Sequence, residues 1–157
     1  MKKGNHYSNN IGTLLYNTNE IKFYFRVDSS WYYPKPAYPG WNKIRGLSHG
    51  HHQNNSSARL AYQCLDDSVL VVGGYCYVDG VSPQENPAQR GIIDTIQPGK
   101  TYFCNIKREN NTYMIIFEDK IWTCKAGENQ SWGYLLNPYI GGEFTLDHDW
   151  IVKVKDK

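Results

Sequence analysis

Four of the five histidines fall in two polar clusters, residues 48–55 (Ser-His-Gly-His-His-Gln-Asn-Asn) and residues 147–149 (Asp-His-Asp). Imidazoles among amides and carboxylates can hydrogen-bond a ligand, carry a proton near neutrality or ligate a divalent metal. On an extended strand His49 and His51 share a face and His52 points away. His49 and His51 could therefore hold one metal ion, with His148 completing the set. Residues 53–57 supply amides and hydroxyls where such a site would need a carboxylate, so a hydrogen-bonding site built on His49, His51 and Asn55, without cofactor, is the primary expectation and a divalent metal the alternative. If Trp150, Val152 and Val154 face a core, period two turns His148 inward, as a satisfied core histidine or a cleft residue. Arg59 shares its face with Ala61 and Gln63. Its guanidinium would suit a carboxylate or the vicinal hydroxyls of a sugar, and the plainer reading is a surface arginine paired with an acid.

Aromatic side chains make up 15% of the chain, and most must pack in a core or across strands. Residues 31–41 differ, because three prolines and a glycine exclude a regular strand and leave large rings in a loop. Trp31, Tyr33 and Trp41 are expected there as a flat platform for a ligand or for a protein partner, with packing beneath a long loop as the alternative.

The elements that would hold these groups are strands. No window keeps apolar residues at helical spacing, whereas residues 21–27 alternate, with Ile21, Phe23, Phe25 and Val27 on one face. Leu60, Tyr62 and Cys64 share a face of the next clear strand, and Asp66-Asp67 turns it into residues 69–78, where Gly73-Gly74 predicts a bulge or bend. Residues 81–90 read as a surface loop. A three-stranded meander follows over residues 100–124, then strands at 132–140 and 150–154. About ten or eleven strands without helix imply two packed antiparallel sheets. Residues 1–157 fit a single domain, burying about 68–70% of the surface of the unfolded chain, with residues 1–10 expected to be poorly packed.

Seventeen Lys+Arg against fifteen Asp+Glu give a net charge of +2, and Lys153, Lys155 and Lys157 read as a solubilising end. Nucleic acid is not an expected partner. The sequence as it stands shows neither an apolar signal region nor a run long enough for a spanning helix, so no membrane partner is expected. Cys64, Cys76, Cys104 and Cys124 lie in apolar strand-like runs. A tight hairpin at Asp66-Asp67 sets Cys64 against Val69 and not Cys76, so buried free thiols are the expected state, with pairing left open.

The segment Pro98-Gly99-Lys100-Thr101-Tyr102, then Ile106 and residues 111–120, resembles the middle of concanavalin A-like lectin/glucanase jelly rolls. The run Pro138-Tyr139-Ile140-Gly141-Gly142 followed by Asp147-His148-Asp149-Trp150 is similar to the step before the last strand of that superfamily, in particular to small, functionally obscure bacterial members. The expected Phe is Ile140 here and the expected Pro is Asp147. The likeness runs from Trp41 to the end and implies an all-β, two-sheet antiparallel jelly-roll sandwich. That superfold hosts sugar binding, hydrolysis, lyase chemistry and protein contacts. The Glu-x-Asp-x-x-Glu string of its glycosidases is absent, as are the strand signatures of its alginate-lyase-like members, so the reading leans away from an enzyme.

A non-catalytic module that binds a glycan or polysaccharide through Trp31, Tyr33, Trp41, His49, His51, Asn55, Arg59 and His148 is the first expectation. A lyase-like enzyme, in which a His or Tyr removes a proton and Arg59 neutralises a uronate, is the second. A structural or adhesion subunit that uses the 31–41 loop as an interface is the third.

Overall fold

The computed structural model describes residues 1–8, 12–33, 40–65, 68–141, 145 and 147–157. The described strands are β1 (Thr13–Tyr16), β2 (Glu20–Arg26), β3 (Asn42–His49), β4 (Ser56–Leu65), β5 (Val69–Tyr77), β6 (Arg90–Ile96), β7 (Thr101–Glu109), β8 (Thr112–Phe117), β9 (Lys120–Lys125), β10 (Trp132–Leu136) and β11 (Lys153–Asp156). They form a six-stranded sheet, in the order β1-β10-β3-β4-β5-β6, and a five-stranded sheet, in the order β11-β2-β7-β8-β9. Every pairing is antiparallel. This is the expected two-sheet sandwich, compatible with a jelly roll.

The alternation in each strand decides what fills the space between the sheets. Phe23 and Phe25 from β2, Leu60 and Tyr62 from β4, Val72 from β5, Ile106 from β7 and Ile115 and Phe117 from β8 are fully buried there. Val27 joins them, and Ile21 packs partly buried against the cluster. Tight places are met by glycine: a Cβ on Gly74 would lie 2.0 Å from the Trp122 ring and one on Gly73 would lie 2.5 Å from Trp41. The β5–β6 register shifts between Val72 and Gly73, which is the irregularity expected at that glycine pair.

Met1 to Ser8, expected to be poorly packed, contains no buried residue, and Tyr7 is 70% exposed; a Tyr7–Tyr139 bridge, a bond from Ile140 N to the His6 carbonyl (2.9 Å) and one from Trp150 N to the Met1 carbonyl (2.9 Å) lay it along the body. Two expectations need correction. The last strand begins later than expected, at Lys153, because Trp150 leaves the ladder to pack against Trp31 and Tyr62. Cys64 and Cys104 are buried free thiols, but Cys76 and Cys124 form a disulfide. That bond joins β5 of one sheet to β9 of the other, so no same-sheet register could have revealed it. Residues 66 and 67, the expected turn, and Gly142, part of the motif resembling the superfamily, lie outside the described residues.

Candidate functional site

The outer face of the six-stranded sheet carries a cleft of about 590 Å³, within the usual size of small-ligand sites. Its floor follows from register. Arg59 on β4 lies opposite Gly46 on β3 and Tyr75 on β5, and Ser57 lies opposite Tyr77. Because Ala58, Leu60 and Cys76 point into the core, Arg59, Tyr75 and Tyr77 must point out. Gly46 leaves the space that Arg59 crosses, since a Cβ there would lie 2.6 Å from Arg59 Cγ. Lys43 enters from β3. Its backbone exchanges two hydrogen bonds with Tyr139 (2.8 and 3.0 Å), which fixes the segment after β10 along the cleft. Lys43 Nζ lies 4.3 Å from the centre of the Tyr75 ring and 5.6 Å from that of Tyr139.

The far wall is the loop after β3. Gly50 takes a positive φ of 80°, Asn55 Oδ1 accepts from His51 N (2.9 Å), and Asn55 N donates to the His51 carbonyl (2.8 Å). This closed turn presents His51, His52 and Gln53 to the cleft, with the two imidazoles stacked 5.0 Å apart.

The cleft is cationic and tyrosine-lined. No Asp or Glu is among its described lining residues. Arg59 is buried, and its Nε has no hydrogen-bond partner. Burial draws its guanidinium down to about 10, even though Tyr77, Tyr75 and Tyr139 pull the other way. Burial, and then the charge of Arg59, lower Lys43 to about 7, so near neutrality its amine exchanges between charged and neutral forms. His52 is lowered to about 4 by burial, then by Arg59 and His51. Tyr75 is pushed above the usual phenol range, chiefly by burial. Such a site suits an anion that brings its own charge, because cations held out of water without an acid gain from any carboxylate that enters.

Of the eight expected site residues, His51 and Arg59 line this cleft. Trp41 is buried beside Ala61 and Tyr75 on the same outer face of the sheet, without lining the cleft. Asn55 shapes the His51 turn. The others lie elsewhere. Trp31 is fully buried, stacked on Phe25 with its Nε1 donating to the Ile151 carbonyl (2.8 Å), and Tyr33 is buried with its hydroxyl accepting from Cys64 N (3.0 Å). The expected aromatic platform is therefore corrected for these rings, which entered the core because each has a backbone partner for its polar atom. Residues 34–39, the middle of that loop, lie outside the described residues.

His49 points between the sheets. Its Nε2 donates to Asn19 Oδ1 (3.0 Å), its Nδ1 accepts from the Tyr113 hydroxyl (2.8 Å), and burial followed by Arg108 holds it neutral, at about 4. His148 contacts the Ser30 carbonyl (2.9 Å) and Asp147 (2.7 Å). Burial opposes its charge, but these bonds outweigh it and raise its pKa. His49, His51 and His148 share no partner, so the alternative metal triad is not assembled. Among the described residues no group of three His, Cys, Asp or Glu is placed to hold a metal.

Lys43, His52, Tyr75, Tyr77 and Tyr139 were not among the expected site residues. The signal for two of them was present: Tyr75 and Tyr77 alternate with core residues in the strand after Arg59. The tight hairpin that sets Cys64 against Val69 is one residue out, since Cys64 lies opposite Leu70 and Arg59 opposite Tyr75, and a one-residue slip exchanges the faces of a strand.

No family model and no curated protein matches the sequence. Among solved structures the fold is similar to that of an alginate lyase from Alteromonas sp. 272, with a TM-score of 0.53 at 10% identity over 85% of this chain. The chain spans 59% of the length of that enzyme, and the likeness is one of fold.

Proposed function

We propose that this chain recognises an acidic polysaccharide, with a uronate carboxylate seated against Arg59 and Lys43 and the sugar ring among Tyr75, Tyr77 and Tyr139. One observation carries this reading: the buried Arg59 guanidinium faces an open cleft whose described lining contains no carboxylate. A planar pair of donors of that kind matches a carboxylate in both geometry and charge. The similar fold of an alginate lyase, an enzyme of a polyuronate, supports the same ligand class. Calorimetric titration with oligouronates should give saturable binding and with neutral oligosaccharides none. Equal binding of both, or of neither, would overturn the reading.

A second reading, lyase action, is favoured by Lys43. A neutral amine beside Arg59 could take the proton α to a uronate carboxylate, after which the C4–O bond breaks, a C4=C5 double bond forms and the departing oxygen takes up a proton. Ultraviolet absorbance of the unsaturated product separates the two readings: a slow rise with protein concentration means catalysis, and none with demonstrated binding means recognition.

Lys43 also sets a pH dependence. Arg59 on β4, Tyr75 on β5 and Tyr139 surround its amine, and a bound carboxylate would raise its pKa above about 7. The complex then holds more protons than the free protein, so binding is strongest below pH 7 and weakens as pH rises through the pKa of the complex. A shift of one unit corresponds to about a tenfold rise in Kd. Titrations between pH 5.5 and 9 should show this loss, and Lys43→Met should abolish the slope. A flat profile in the unaltered protein would remove Lys43 from the ligand contact.

A further inference from the structure

The outer face of the other sheet holds a feature that the cleft does not use. β11 pairs with β2 in the register Lys153↔Arg26 and Lys155↔Tyr24, and Lys157 N donates to the Lys22 carbonyl. Phe23 and Phe25 point into the core, so Lys22, Tyr24 and Arg26 point outward, and the three lysines opposite them do the same. Two adjacent strands thus present five cations around one exposed ring. Tyr24 is 39% exposed and packs 5.2 Å from the Phe103 ring on β7, and Lys157 Nζ lies 5.7 Å from the same ring.

Like charges set opposite one another weaken a sheet, and here Lys153 faces Arg26 while Lys157 faces Lys22. Nearby acids relieve this only in part, chiefly at Lys22. Glu20 is taken by Lys22 and Asn105, Asp156 turns inward to Arg45, and Asp28, at one end within reach of Lys153 and Arg26, caps the turn at Ser30. Among the described residues Lys153, Lys155, Lys157 and Arg26 form no ion pair. In a chain of net charge +2, this is a concentration and not a general excess.

We propose that the β11–β2 ladder is a second anion-binding strip, which takes an extended stretch of acidic polysaccharide on the face of the sandwich opposite the cleft. The ligand class rests on the reading of the cleft. The geometry of the strip supports it independently: alternate residues repeat every ~6.6 Å, the row is one ladder wide, and an amphipathic ring stands among the charges where the C–H face of a sugar can stack. A duplex nucleic acid or an anionic membrane would call for a broader basic footprint. Two sites on opposite faces would let one molecule hold a long polymer twice or bridge two chains, which raises avidity without any new contact.

The test compares the unaltered protein, Lys153→Glu/Lys155→Glu, and the milder Lys153→Gln/Lys155→Gln on immobilised polygalacturonate and on a short oligouronate in solution. The double charge reversal should weaken polymer binding at least tenfold, most strongly at low salt, and leave oligouronate affinity and the melting temperature unimpaired. Unchanged polymer binding in both variants overturns the strip, whatever the cleft does. If oligouronates fail to bind at all while polymer binding is still lost on charge reversal, the strip stands and the cleft reading falls. Duplex DNA or phosphatidylglycerol vesicles bound as tightly as the polymer would overturn the choice of a polysaccharide.

Discussion

Arg59→Met is expected to lower affinity for an oligouronate at least 100-fold, about 2.8 kcal/mol, while leaving the protein as stable as before or more so. The two effects have one origin. Arg59 is buried, its Nε is unpartnered and burial has drawn its pKa down to about 10, so the folded state carries a poorly solvated charge that nothing in the described cleft neutralises. Methionine keeps the apolar stem that lies across Gly46 and removes the charge. The entering carboxylate loses its paired donors, and truncation of one partner of a buried charge pair typically costs about 2–5 kcal/mol. Arg59→Lys should recover part of the affinity, because it restores charge but not the planar fork. Calorimetry and a urea melt on the same preparations decide the matter. A variant that binds as before but melts earlier would make Arg59 a packing residue and end the proposed role of the cleft.

The sandwich was legible because its strands alternate cleanly where one face is dry and the other wet. Residues 21–27 and 60–64 each announce a core face, and both do face the core. β3 was not legible as a strand. Its sequence, Asn-Lys-Ile-Arg-Gly-Leu-Ser-His, breaks alternation with a bulge between Lys43 and Arg45, and every one of its residues is buried. Its outward positions lie under a cleft, and polar residues buried for a purpose look in sequence like residues in water. β1 is short and largely exposed, and β6 is an edge strand with Ile92 turned to solvent, so neither offers the contrast on which pattern reading depends.

The site was half legible for a related reason. His51 stood out as part of a polar cluster and Arg59 as a guanidinium following it, and both line one cleft. The aromatic run at 31–41 pointed elsewhere, because composition registers a large ring but not whether its Nε1 or hydroxyl will find a backbone partner inside. His49 and His148 show the same limit: each is satisfied by residues distant in sequence, Tyr113 and Asn19 for one and Ser30 for the other. Lys43 gave no signal, since its depressed pKa arises from burial, and then from Arg59, only once the sheet is assembled.

Breaking the Cys76–Cys124 bond is expected to cost about 4 kcal/mol of stability. The two cysteines are 48 residues apart, and the loop-closure entropy removed from the unfolded chain by a link of that length lies between the ~3 kcal/mol of a 15-residue loop and the ~4.7 kcal/mol of a 100-residue one. Urea melts with and without reductant should differ by this amount. Cys76→Ala, Cys124→Ala and the double variant should fall together, because once the link is gone the second substitution removes little more. A thiol count gives an independent check: unreduced protein in denaturant should titrate two thiols, Cys64 and Cys104, and reduced protein four. Four thiols without reductant would mean that the bond does not form. The same experiment bears on function, since Cys76 sits between Tyr75 and Tyr77 and anchors β5 to the opposite sheet under the floor of the cleft. Reduction should therefore weaken oligouronate binding several-fold under conditions where the protein is still folded, as the two tyrosines lose the clamp that holds their strand.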